Sequence, residues 1–191
     1  MIERWLDAVV ATPGLTALSG AEARRMLLED SLRAVEVVER FDGPIVDVGS
    51  GGGAPGIPLA HALPGREVTL LEAIRRKCDF LERWTRELPN LRVVCGRAEE
   101  QPVDAYGVAV AKALAPPPVA AEWCLPLVAA GGVAVLFVGE TAQADRVALV
   151  AERLAAEPLE APPGLLVLRK LGPTPPGFPR RPGVARKRPL A

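Results

Sequence analysis

A single histidine, His61, and three widely spaced cysteines, Cys78, Cys95 and Cys124, leave little with which to hold a metal. Zinc sites draw on clustered Cys and His, so no metal centre is expected. The odd cysteine count and wide spacing suit reduced core thiols better than a disulfide framework. No apolar run reaches membrane-spanning length, because Pro, Gly or a charge interrupts each one. The N-terminus, MIERWLDAVV, carries acids early and no basic stretch before an apolar core. It does not read as a signal peptide, and a cytoplasmic monomer without membrane contact is expected. No Ser/His/Asp or Cys/His set offers covalent catalysis. Net charge is absent too: 23 Lys and Arg balance 23 Asp and Glu.

The charge is nevertheless unevenly placed. Arg169, Lys170, Arg180, Arg181, Arg186, Lys187 and Arg188 meet no acid between residue 169 and the end. Residues 1–168 therefore hold all 23 acids against sixteen bases, a balance of −7. An acidic body with a basic tail suggests a polyanion contacted at one edge. With 191 residues and 49% hydrophobic content, the chain can bury one real core.

Three regions are expected. Residues 1–42 form a helical segment. Ile2, Trp5, Leu6 and Val9 follow helical spacing, and Ser19 with Glu22 makes a capping-box pair before a long helix to about Arg40. Residues 43–171 alternate strand and helix: PIVDV, EVTLLE, LRVVC, VAVA, GGVAVLFVG after a Gly-Gly turn, and GLLVLRK read as strands. Helices are expected around Pro58–Leu63, Cys78–Leu88, the run VAAEWC and ETAQADRVALVAERLAA. Such alternation implies an α/β fold with a mostly parallel sheet of about seven strands and helices on both faces. Residues 172–191, with six prolines and three glycines, read as an extended basic arm. Trp5, Trp84 and Trp123 lie on apolar helical faces, which favours packing over base stacking.

The stretch VDVGSGGGAPG, directly after the first strand, carries the chemistry. Gly49-x-Gly51-x-x-Ala54 matches a dinucleotide loop, whose glycines admit a pyrophosphate. Asp47 argues against that ligand, since an acid there faces a diphosphate. The pattern Asp47-x-Gly49-x-Gly51-x-Gly53 resembles the loop of class I S-adenosylmethionine methyltransferases, which have a Rossmann-like sheet. That resemblance implies that Asp47 helps hold the methionine ammonium and that the glycines pass beneath the cofactor. Glu72 ends the second strand, where a carboxylate can accept both ribose hydroxyls.

The resemblance narrows with DVGSGGGAPGIPLA, LEDSL, RAEE, AKALAP, EWCLPL and the tail GPTPPGFPRRPGVARKRPL. These look like the ribosomal small-subunit methyltransferase G family, also called glucose-inhibited division protein B. It implies methyl transfer to guanine N7 of small-subunit (16S) ribosomal RNA, free or in the 30S particle. Guanine N7 has a lone pair and no proton, so positioning suffices and no general base is needed. The resemblance assigns Gly49 and Ala54 to the cofactor backbone wall and Ala98 and Glu99 to adenine. Ala73, Ile74 and Arg75 would flank the ribose and adenine. Arg97 matches a basic position facing RNA, and Arg180, Arg181, Arg186, Lys187 and Arg188 offer phosphate contacts. Lys112, just past the fourth strand, is the candidate for orienting the base or the cofactor carboxylate. The family has arginine there, lysine at Val138 and histidine at Leu27, so three positions depart from it. Two other readings stand beside an RNA methyltransferase: a cofactor-binding RNA chaperone or assembly factor without turnover, and a small-molecule methyltransferase. An enzyme using NAD ranks last.

Overall fold

The structure is a computed structural model that describes residues 1–139 and 143–191. Apolar, β-branched runs form the strands: β1 (Ile45–Val48), β2 (Val68–Glu72), β3 (Leu91–Cys95), β4 (Tyr106–Lys112) and β5 (Val128–Phe137). All neighbouring pairs among these are parallel, and the full order is β3-β2-β1-β4-β5-β7-β6. The last two, β6 (Ala156–Leu159) and β7 (Leu165–Lys170), run antiparallel, with β7 inserted beside β5.

Strand alternation feeds two cores, as a sheet covered on both faces requires. Ile45, Leu70, Val108 and Val110 face α1 (Ile2–Ala11), α5 (Gly56–Ala62) and α6 (Arg75–Glu82). Val46, Leu71, Ala109 and Ala111 face α7 (Pro117–Cys124) and α8 (Ala144–Arg153). The strand order reverses between β1 and β4, where the carboxyl ends of strands open a crevice.

Several expectations are corrected. The long helix to Arg40 is divided into α2 (Gly20–Ala23), a π-helical turn (Arg24–Glu29), α3 (Asp30–Leu32) and α4 (Val35–Glu39). Ser19 is the N-cap residue but its side chain makes no cap hydrogen bond. Inside the segment, the Ser31 hydroxyl donates to the Leu27 carbonyl at 2.7 Å. Side-chain bonding of this kind to the previous turn bends helices. β6 is not evident in the sequence because Pro158 stands in it; at the sheet edge the missing N–H does no harm. The Gly-Gly turn is not a turn, since β5 begins at Val128 and runs through Gly131 and Gly132. The helix expected over 140–156 is Ala144–Arg153, and its first three residues, 140–142, lie outside the described residues.

Cys78 and Cys95 are not separate thiols but a disulfide, with Cα atoms 5.9 Å apart. Parallel pairing sets Cys95 opposite Glu72, and α6 turns Cys78 back over the same strand end. Cys124 is the remaining thiol; it is buried, and burial pushes its pKa up. The tail is not extended throughout. It includes α9 (Val184–Lys187), whose Ala185 is buried, and it packs on α7. No helix of the described residues is long and apolar enough to cross a membrane. No group of three or more potential metal ligands occurs among them.

Candidate active site

The glycine loop is shaped by backbone conformations that only glycine adopts without strain. Gly49 has φ +75° and Gly53 φ +105°. A Cβ on Gly49 would collide with Leu114 Cδ1, so the space beside it is already claimed by the β4 exit. Two carboxylates hold the loop from below. Glu72 Oε2 accepts the Gly51 N–H at 2.9 Å and Oε1 accepts the Ile74 N–H at 2.8 Å. Asp47 Oδ2 accepts the Gly56 N–H at 3.0 Å, tying β1 to the start of α5.

Asp47 is 1% exposed, and its Oδ1 has no partner. Burial is the main reason its pKa is pushed up to about 7; the Gly56 and Ser50 hydrogen bonds oppose this. A buried acceptor without a donor costs free energy unless a ligand or water supplies one.

Two cavities open over this loop. The first, about 360 Å³, is lined by Gly49, Glu72, Ala73, Ala98 and Glu99, five of the expected cofactor residues. Arg97 and Arg186, expected to face RNA, also line it, as do Ile74 and Trp123. The second cavity, about 310 Å³, is lined by Gly51, Ala54 and Lys112 together with Leu15, Met26 and Leu27. Gly53 and Asp47 line neither: Gly53 packs on Ile57 and Trp5, and Asp47 lies beneath the loop.

Lys112 is held rather than loose. Its Nζ donates to Asp30 Oδ2 at 2.5 Å and to the Met26 carbonyl, and lies 5.2 Å from the centre of the Phe137 ring. Burial lowers its pKa, while Asp30 opposes the shift. Burial also pushes Asp30 up, but hydrogen bonds from Lys112 and Arg33 outweigh it and leave that carboxyl below its usual value. Of the three departures, Leu27 and Lys112 thus share one cavity, whereas Val138 donates its N–H to Gly164 O at 3.0 Å outside both.

The tail basics divide. Arg180 makes a two-pronged pair with Glu122, at 2.5 and 2.6 Å, and donates to the Arg188 carbonyl at 2.9 Å. Glu122 is only 3% exposed, so Arg180 is an internal partner. The Gly183 N–H donates to Glu99 Oε1 at 3.0 Å, fastening the tail to the rim of the first cavity. Arg181, Arg186, Lys187 and Arg188 are exposed.

Sequence reasoning missed three contributors. Trp5 donates its indole N–H to the Gly52 carbonyl at 2.8 Å, pinning α1 to the glycine loop. Trp123, read as core, lines the first cavity with its indole nitrogen unpartnered. Lys77 lines both cavities. Its signal was a basic run, IRRK, at the start of a helix just after Glu72. The group implied by the resemblance, S-adenosylmethionine, fits this donor set. Glu72 keeps lone pairs for a ribose, and Asp47 Oδ1 lacks a donor.

Comparison with known proteins shows the family and the fold. The family model for rRNA small subunit methyltransferase G matches residues 8–158. A ribosomal RNA small subunit methyltransferase G from Synechococcus elongatus is 35% identical over 89% of this chain and 79% of its own. Its namesake from Chloroflexus aggregans is also 35% identical, over 98% of this chain and 88% of its own. Among solved structures, an O-methyltransferase from Thermotoga maritima superposes with a TM-score of 0.62 at 16% identity, covering 87% of this chain and 71% of its own. A 16S rRNA guanine-N2 methyltransferase from T. thermophilus, solved with AdoMet and guanosine, gives 0.55 at 18% identity over 78% and 40%. These last two likenesses speak for the fold: a class I methyltransferase sheet. On the family model and the relatives across most of its length, the chain belongs to the rRNA small subunit methyltransferase G family.

Proposed function

We propose that this protein uses S-adenosylmethionine to methylate guanine N7 in small-subunit ribosomal RNA, acting as a monomer in the cytoplasm. The carrying observation is the pair of cavities that meet at Gly49, Lys77 and Ala113. One has the acceptors that a nucleoside cofactor needs; the other is a neighbouring chamber of base size. The names of its relatives supply the substrate class.

When bound, S-adenosylmethionine would supply a methyl group activated by sulfonium, which the N7 lone pair would take as the carbon–sulfur pair stays with sulfur, with no proton moved. The protein's own residues therefore bind and align. Glu72 takes the ribose edge, Asp47 and the glycine loop take the methionine end, and Ala98, Glu99 and Trp123 border the base. Lys112 braces the chamber wall through Asp30 and Met26. Arg97 and the exposed tail cations Arg181, Arg186, Lys187 and Arg188 contact phosphates, as RNA affinity requires.

The second reading is an assembly factor that binds cofactor and subunit without turnover. It is favoured by the state of Lys112, whose Nζ is already taken by Asp30 and Met26. One experiment separates them: small subunits from cells lacking the protein, incubated with tritiated S-adenosylmethionine, then digested and analysed for 7-methylguanosine. Labelled 7-methylguanosine is the expected product. Binding of both partners without transfer would favour the second reading.

A further inference from the structure

We propose that the second cavity is the chamber for the acceptor base and that Lys77 selects guanine there by donating a hydrogen bond to O6. The proposal rests on the reading above and deepens it. Lys77 is the one charged residue that lines both cavities, which sets its side chain where the two meet. It is half-buried and makes no side-chain hydrogen bond or ion pair among the described residues. Lys112, the other cation of the chamber, is tied down by Asp30, Met26 and Phe137. Lys77 is therefore the cation available to a ligand.

Its position is not explained by the stability of α6. The first turn of that helix holds Arg75, Arg76 and Lys77, no acid and no side-chain cap. Cations at this end oppose the helix dipole and cost free energy.

The chamber suits a purine. Leu15, Leu18, Met26 and Leu27 supply apolar walls for the ring faces, and they come from the N-terminal segment rather than the sheet. The π-helical turn helps form this wall, since Met26 and Leu27 both lie in it. For N7 to reach the junction, the base must turn its N7 edge towards Lys77. On guanine that edge carries O6 beside N7, two adjacent acceptors; on adenine the neighbour of N7 is an amino donor. An ammonium at the junction thus attracts guanine and repels adenine, so one residue provides both halves of a specificity.

The test uses the whole chain saturated with S-adenosylhomocysteine and titrated with guanosine 5′-monophosphate or adenosine 5′-monophosphate. Wild type should prefer the guanine nucleotide by about ten- to a hundredfold, the worth of one charge-assisted hydrogen bond. Lys77→Met, which keeps the stem, should erase that preference, and Lys77→Arg should retain it. Both should keep the wild-type urea-unfolding midpoint, which reports that they are folded, and each is titrated at its own saturating S-adenosylhomocysteine concentration. On small subunits Lys77→Met should lower kcat more than it raises KM. A Lys77→Met protein with the full guanine preference, or a wild type indifferent between the two nucleotides, would overturn the assignment. If the preference depends on Lys77 but subunits are never methylated, the chamber stands and the turnover reading fails.

Discussion

Asp47→Asn tests the least comfortable group in the molecule. The carboxyl is buried, accepts the Gly56 N–H through one oxygen and leaves the other without a donor. Its pKa rises from 3.8 to about 7, chiefly because burial disfavours the charge. A carboxyl whose folded pKa is raised contributes most to stability below its unfolded pKa. The contribution fades as pH climbs through the folded value. Over this interval, at about 1.36 kcal/mol per unit, the loss reaches about 4 kcal/mol. Asparagine is isosteric, keeps an acceptor for Gly56 and does not ionise. Urea unfolding without ligand should therefore show equal stability for both proteins at pH 4, and at pH 8 the Asp47→Asn protein should be more stable by up to about 4 kcal/mol. Ligand should reverse the ranking. A ligand ammonium in the cavity above the loop favours the charged form of the carboxyl beneath it, so wild-type affinity for S-adenosylhomocysteine should rise from pH 5 to 7 and then level, while Asp47→Asn binds weakly throughout. Parallel stability curves from pH 4 to pH 8 would refute the reasoning, because they would mean an ordinary, solvated carboxylate.

The other candidate residues make further tests. Glu72→Gln should weaken S-adenosylhomocysteine about tenfold by calorimetry or more, since the new amide NH2 must face one of two backbone N–H donors. Gly49→Ala should weaken S-adenosylhomocysteine binding, because alanine is strained at a φ of +75° and its Cβ displaces the Leu114 side chain that lines the first cavity. Arg180→Ala should cost about 3–5 kcal/mol in chemical denaturation, as it strands the buried Glu122 carboxylate. Replacing Arg181, Arg186, Lys187 and Arg188 by Ala should leave stability nearly unchanged and flatten the salt dependence of RNA binding by about 0.7–0.9 in log–log slope for each phosphate no longer neutralised. Lys112→Ala should slow methyl transfer by about one to two orders of magnitude, and Lys112→Arg should keep it, since the fork can span both Asp30 and the Met26 carbonyl.

The strand ladder was legible because its signals are local. Short β-branched runs separated by Gly and Pro mark buried parallel strands, and Asp47, Gly49 and Glu72 sit at fixed offsets from strand ends. What escaped depends on contacts distant in sequence. β6 contains a proline that is harmless only at an edge, and the edge position follows from β7 inserting between β5 and β6. The Cys78–Cys95 pair follows from the parallel register that sets Cys95 beside Glu72. Nothing in a spacing of seventeen residues announces it.

The site divides along the same line. The floor of the first cavity is read from the strand–loop pattern, yet its rim and the second cavity are not. Arg180 looks like one more tail cation until Glu122, 58 residues earlier, is found buried against it. Asp30 looks like part of a helix surface until Lys112, 82 residues later, is found to reach it. Each pair ties a terminal segment to the core: Asp30–Lys112 joins the N-terminal segment to β4 beside the second cavity, and Glu122–Arg180 joins the tail, whose Arg186 borders the first cavity, to α7. Trp5 adds a third link, from α1 to the glycine loop itself. A methyl transfer that needs no general base depends on geometry alone. Residues of 1–42 border the second cavity and Arg186 of 172–191 borders the first, so both terminal segments stand where the proposed transfer would need its partners aligned.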